Sequence, residues 1–127
     1  MTRSDDLPDA FARIVASRAD VLSVSGDSAI FPHYAQIAAF ATKQKIVSIG
    51  GIGYTGQGGL LTFGTNLLAM TERVAAYIDR ILRGAKPADL PVEQPSKYEL
   101  VLNMKTAKAI GLKLSPAFMV QVDRIVE

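Results

Sequence analysis

The side chains that could do chemistry are few, and most of them sit on or beside one glycine-rich stretch. Between positions 50 and 59 stand Gly50, Gly51, Gly53, Gly56, Gly58 and Gly59, six of the ten glycines in the chain. Gly51-Ile52-Gly53-Tyr54-Thr55-Gly56 spells the G-x-G-x-x-G string of a dinucleotide site. That string serves pyrophosphate only when it opens a helix whose N-terminus meets the phosphates. Here it runs into more glycine and then a second apolar stretch, Leu60-Leu61-Thr62-Phe63. No acidic residue stands at a strand end about twenty positions on, where the ribose would need it. Glu72 falls mid-helix, and no G-K-S/T offers a phosphate cradle.

Hydrolytic chemistry fares no better. His33 is the single histidine, placed near a helix start, where such a residue more often caps or meets water than acts as a base. Ser23, Ser25, Ser28 and Ser48 lie at strand ends, but none stands in a G-x-S-x-G elbow. Asp27 is the one acid at the carboxyl end of a strand. It either caps the next helix or aims a carboxylate at a cationic group on a ligand, and both readings stay open. No two carboxylates pair for acid–base work, and no cluster has metal-ligand spacing. The pattern predicts a binder and not an enzyme, with no cofactor and no metal. Glycine lets main chain approach a ligand closely, and such loops at strand ends are where open α/β sheets bind. Tyr54, flanked by glycines with little to pack on, is expected at a cleft or interface. Phe63, alternating with Thr62, is expected in the core.

The elements that must position these residues alternate along the chain. A helix is predicted from about Leu7 to Arg18, with Phe11, Ile14 and Val15 as its stripe and Asp6 or Asp9 as cap. A buried strand over 20–25 leads to the Gly26-Asp27-Ser28 turn. A second helix, with Pro32 in its first turn, runs to about Lys43. Ile46-Val47-Ser48-Ile49 and Leu60–Phe63 are the next strands. Thr65 or Asn66 caps a long helix to Arg83, lined by Leu67, Met70, Val74, Ile78 and Ile81 and stopped by Gly84. Residues 85–97 hold three prolines and read as an extended connection. A strand over 98–102, a short helix capped by Asn103, and an amphipathic helix from Ser115-Pro116 through Ile125 complete the chain. This order predicts an α/β fold, a Rossmann-like open parallel sheet with flanking helices. It is a single lobe over 1–127, with 7–84 as core, 85–97 as connection and 98–127 as a strand with two helices.

Composition narrows the class further. The chain has 127 residues, 49% hydrophobic and 20% charged, with a net charge of +2 and no cysteine. Disulfides and thiolate metal sites are excluded, and the scattered basic residues argue against a nucleic-acid partner. No apolar run reaches the roughly 18 residues of a membrane span. Met1–Asp6 is followed by no apolar core, so the sequence as it stands reads as soluble and without an export address.

From Asp79 the sequence becomes specific. DRILRGAKPADLPVEQPSKYELVLNMKTAKAIGLKLSP, residues 79–116, closely resembles the carboxyl-terminal signature of ABC-transporter substrate-binding proteins of the tryptophan and aromatic-amino-acid type. GGLLTFGTN, residues 58–66, is similar to the element that leads into that family's long helix. The resemblance covers nearly all of this chain but about half of such a protein. It implies one lobe of a type I periplasmic-binding fold, which holds a small solute such as an amino acid and delivers it to an ABC permease. Gly26, Asp27 and Ser28 match the turn at the solute's polar end, while Phe63, Gly64 and Asn66 match the second cleft segment. Two departures stand out: a segment richer in glycine than is usual, and the absence of counterparts to the amino-terminal lobe and its signal sequence. The resemblance implies a periplasmic or lipid-anchored extracytoplasmic site. A lone lobe is expected to bind weakly and to form a homodimer. The alternatives are a stand-alone oligomerising effector domain and a small dinucleotide-dependent enzyme. Asp27 is further expected to be exposed beside Gly64, and the glycine loop to be mobile.

Overall fold

A computed structural model describes residues 6–127. Helix α1 (Leu7–Ser17) precedes strand β1 (Val21–Val24), and a 3-10 turn over Phe31–His33 leads into α2 (Tyr34–Gln44). Strand β2 (Val47–Gly50) and β3 (Leu61–Thr65) are joined by the glycine stretch, which holds one 3-10 turn, Thr55–Gln57. Helix α3 (Leu67–Leu82) and a long strap then return the chain to β4 (Tyr98–Asn103), α4 (Met104–Ile110), α5 (Pro116–Met119) and β5 (Arg124–Val126).

The five strands lie in chain order in one sheet. β1, β2 and β3 run parallel, as the alternation of elements predicts. β4 enters antiparallel to β3, with Thr65 opposite Tyr98, and β5 runs parallel to β4. The sheet is therefore mixed. The strap supplies the reason: it carries the chain back to the edge that β3 has just left, so β4 must descend beside it.

Register divides the side chains between two faces. Leu22, Val24, Ser48, Gly50, Thr62 and Val101 share one; Val47, Ile49, Leu61, Phe63, Leu100, Leu102 and Ile125 share the other. On the first face, Leu22 and Val24 pack with Leu7, Tyr34, Ile37 and Tyr54. Phe11 and Phe40 stack at 4.0 Å where α1 meets α2. On the second, Val47, Leu61 and Leu102 pack with Ala107, Ile110, Leu112 and Val122. Layers on both faces of a largely parallel sheet are what α/β folds require.

The amphipathic helix expected through Ile125 is instead a single turn, α5, followed by β5. Asp123 explains the break. Its N–H donates to Leu100 O at 2.9 Å, and its carboxylate accepts the Leu100 N–H at 2.8 Å. Both bonds fix the chain against the open edge of β4, and pairing that edge outweighs continuing a helix.

Candidate functional site

Because β1, β2 and β3 are parallel, the loops that follow them share one edge of the sheet, the edge where such folds bind. The amino ends of β4 and β5 reach the same edge, since both run the opposite way.

The first loop is Ser25–Ser28. The Tyr34 hydroxyl donates to Ser25 O at 3.1 Å and fixes its base. Asp27 Oδ1 accepts the Ala29 N–H at 2.8 Å, and the Asp27 N–H donates to Ser25 Oγ at 3.2 Å. Asp27 thus closes its own turn with one carboxylate oxygen, is exposed, and makes no ion pair among the described residues. Gly26 and Ser28 are exposed beside it.

The second loop follows β2 and lies against the first. A Cβ on Gly51 would stand 3.0 Å from Gly26 Cα, so the two backbones meet where any side chain would part them. Ile52 then leans on the third segment, with its Cγ1 3.0 Å from where a Gly64 Cβ would be. Asp27 is accordingly not beside Gly64. The Gly51–Ile52 backbone separates them, because β2 lies between β1 and β3.

The third segment is Gly64-Thr65-Asn66. Asn66 Oδ1 accepts the Ala69 N–H at 2.9 Å and caps α3. A groove of about 470 Å³ opens between this segment and the glycine loop, lined among others by Ile52, Gly53, Gly64, Asn66, Glu99 and Arg124. Arg124 Nε donates to Glu99 Oε1 at 3.1 Å across β4 and β5. Sequence reasoning missed this pair. The two residues are 25 positions apart, and Arg124 had been assigned to a helix, so only the β4–β5 register reveals it.

Two expected site residues are placed differently. Tyr54 does not line the cleft; it is 0% exposed, in the centre of the core. Its ring occupies a slot between Gly50 and Gly59, where added Cβ atoms would stand 2.4 and 2.2 Å from ring carbons. Tyr34 closes the slot edge-on at 5.1 Å. Those two glycines are therefore small because the tyrosine needs the room. Phe63 is not core. It is 55% exposed and stacks on Tyr98 at 5.7 Å, on the face opposite Gly64.

The glycine loop itself is anchored, contrary to the expectation of mobility. Thr62 Oγ1 accepts the Thr55 N–H at 3.1 Å, Asn103 Nδ2 donates to Thr55 O at 3.1 Å, and Thr106 Oγ1 donates to Gly58 O at 2.9 Å. The expectation assumed few apolar anchors, whereas the loop carries Tyr54 buried in the core and adds these polar bonds. A parallel crossover usually needs about a dozen residues or more; residues 51–60 manage with fewer by wrapping Tyr54.

The Tyr54 hydroxyl is buried and has no hydrogen-bond partner among the described residues. Burial raises its pKa above 10.0, and the nearby Ser48 hydroxyl offsets this only in part, without hydrogen-bond geometry. A phenol harder to ionise when folded holds its proton above pH 10, where the unfolded chain loses it. Its contribution is thus intact below pH 10 and lost as pH rises beyond. Tyr54→Phe is expected to leave the chain as stable or about 1 kcal/mol more stable at pH 7. It should also blunt the loss above pH 10. Urea melts at pH 7 and 10.5 check this, and a variant weaker at both pH values would contradict it.

Among the described residues no three His, Asp or Glu side chains come together to hold a metal, and no helix is long and apolar enough to cross a membrane. The G-x-G-x-x-G string leads into a 3-10 turn and β3, so no helix N-terminus stands behind it for a pyrophosphate.

An α/β lobe whose loops converge on one strand edge has the architecture of one lobe of a periplasmic-binding-type fold. The sequence profile of the ABC transporter substrate binding proteins matches residues 1–126, and the chain belongs to that family. No curated protein matches. Among solved structures, a conserved domain protein from Vibrio cholerae is similar at TM-score 0.80 and 22% identity, over 98% of this chain and 42% of that one. A Clostridium difficile substrate-binding protein with adhesive properties, in its ligand-free open form, aligns at TM-score 0.76 and 23% identity, over 100% of this chain and 42% of that one. A Streptococcus pneumoniae ABC domain in complex with L-Trp aligns at TM-score 0.80 and 20% identity, over 96% and 41%. The chain thus spans about two fifths of these proteins, the length of one lobe.

Proposed function

We propose that this lobe binds a small polar solute, an amino acid in the first instance, for delivery to an ABC permease, with no bond made or broken. The observation that carries the reading is the backbone contact of Gly26 with Gly51 at the strand edge. The Gly26 backbone lies against Gly51 and the adjoining Ile52 against Gly64, so the Asp27 turn and the Gly64–Asn66 segment flank the Gly51–Ile52 backbone on its two sides. Asp27 spends one carboxylate oxygen on its own turn, which leaves the other for a solute ammonium. The L-Trp bound to the pneumococcal neighbour supports the amino-acid class. Family membership supports an extracytoplasmic setting.

Proteins of this kind hold their solute between two lobes, and affinity comes from burying most of its surface. One lobe orders the solute but recovers only part of the contacts that offset that cost. Affinity for free amino acids is therefore expected to be no better than about millimolar, worth about 4 kcal/mol. Titrating 15N-labelled protein with tryptophan should shift the amides of Gly26, Asp27, Ser28 and Gly64 with such a Kd, and Asp27→Asn should weaken the response. Shifts confined to other regions, or none up to the solubility limit, would overturn the assignment. Nicotinamide and flavin cofactors should leave the melting temperature unchanged, whereas a ligand at 100 times its Kd adds about 2.7 kcal/mol.

A further inference from the structure

The groove between the glycine loop and the Gly64–Asn66 segment carries a pair of charges that neither core uses. Thr62, Gly64, Glu99, Val101 and Arg124 share one face of the sheet through the pairing of β3 with β4 and of β4 with β5. Gly64 lies opposite Glu99 and has no side chain, so the space beside the Glu99 carboxylate stays open. Ile52 walls that space, since a Cβ at Gly64 would stand 3.0 Å from Ile52 Cγ1. Leu67 and Leu68 add apolar lining, and both are more than half exposed. The groove's volume of about 470 Å³ falls within the roughly 300–1,000 Å³ of small-molecule sites, which combine apolar lining with a few placed polar groups.

Each member of the pair has half of its capacity engaged. Arg124 Nε donates to Glu99 Oε1 at 3.1 Å, and the terminal nitrogens of Arg124 and Oε2 of Glu99 have no partner among the described residues. The two Nη groups form a fork that accepts a carboxylate end-on through two parallel bonds. Oε2 remains for a cationic donor. An anion alone would meet attraction from Arg124 and repulsion from Glu99 side by side, and a cation alone would meet the reverse. A molecule with both charges a few ångströms apart satisfies both groups. A zwitterionic α-amino acid is such a molecule, and an apolar side chain on it would lie along Ile52, Leu67 and Leu68.

We infer that Glu99 and Arg124 read the ammonium and carboxylate of an apolar α-amino acid held in this groove. The inference rests on the amino-acid reading above but not on Asp27. The Asp27 turn follows β1, whereas Arg124 stands on β5 with three strands between. At about 4.8 Å per strand the two lie about 19 Å apart. One α-amino acid cannot reach both, so the groove is a place of its own.

Phenylalanine, hydrocinnamate and phenethylamine share a ring and carry both charges, the negative alone and the positive alone. Titrated into 15N-labelled protein, phenylalanine should shift the Arg124 Nε–H and the Leu67 and Leu68 amides. The other two should bind about tenfold more weakly or not at all. Arg124→Gln should weaken phenylalanine about tenfold. Glu99→Gln should weaken phenylalanine yet strengthen hydrocinnamate, a reversal that a merely structural role would not produce. Both variants should keep the wild-type circular dichroism and melting temperature, because an exposed ion pair contributes little to folding. Asp27→Asn should leave the groove shifts as they are. Groove shifts with loss of those at the Asp27 turn would count against the edge assignment and uphold this one. Equal binding of the three probes, groove shifts that survive Arg124→Gln, or no groove shifts at all would overturn it.

Discussion

Gly59→Ala is expected to cost about 3 kcal/mol, near the upper end for an overpacked core. The new methyl carbon would stand 2.2 Å from both Cδ1 and Cε1 of Tyr54, well inside van der Waals contact. The ring has nowhere to go. It is 0% exposed, with Gly50 also pressed against it and the Tyr34 ring 5.1 Å away on edge. For a domain of this size the loss corresponds to a fall of about 10 °C in Tm. Gly56→Ala is the control, because nothing lies within 4 Å of its added Cβ. It should be neutral or slightly stabilising, since alanine reduces the freedom of the unfolded chain. Shrinking the ring with Tyr54→Leu should make the Gly59→Ala cost smaller than it is alone, because contacting residues do not add. Thermal melts that place Gly59→Ala level with Gly56→Ala would show that the slot gives way easily and that the glycines have another purpose.

That slot marks the boundary of what the sequence made legible. Helix and strand order, the Pro-rich strap and the caps at Asn66 and Asn103 were readable because each rests on neighbours within a few positions. Tyr54 was not. Its local neighbours are glycines, and the side chains that bury it, Tyr34, Ile37 and Ala38, come from α2, well back along the chain. The same holds for Phe63, whose strand alternation was read correctly but whose face carries no covering layer at that height. β5 is only three residues long, too short for any period to show, and its evidence is the distant pair of bonds between Asp123 and Leu100. The apolar stripe of α3 was real, yet a stripe says only that a helix needs a partner. For the candidate site, the Asp27 turn was legible from its residue types. The Glu99–Arg124 pair was not, because it exists only through β4–β5 pairing.

Asn103 and Asn66 test the same distinction between local and tertiary roles. Both are helix N-caps. Asn66 Oδ1 accepts the Ala69 N–H at 2.9 Å, and Asn103 Oδ1 accepts the Thr106 N–H at 3.0 Å. By capping alone each would be worth about 1 kcal/mol. Asn103, however, is buried, and its Nδ2 also donates to Thr55 O across 48 positions at 3.1 Å. Asn103→Ala therefore loses the cap and one of the two hydrogen bonds at Thr55 O, which keeps the Gly58 N–H, and the lost bond adds about 1 kcal/mol. The total expected is about 2 kcal/mol. Asn66→Ala should barely move the global transition, since α3 is not part of either core and its loosening is local. Amide exchange separates the two variants. Asn66→Ala should speed exchange along α3 only, while Asn103→Ala should speed it across α4 and Thr55 and lower the denaturation midpoint of the whole lobe. Equal shifts in the global midpoint would mean that α3 is coupled to the core more tightly than its exposed face allows.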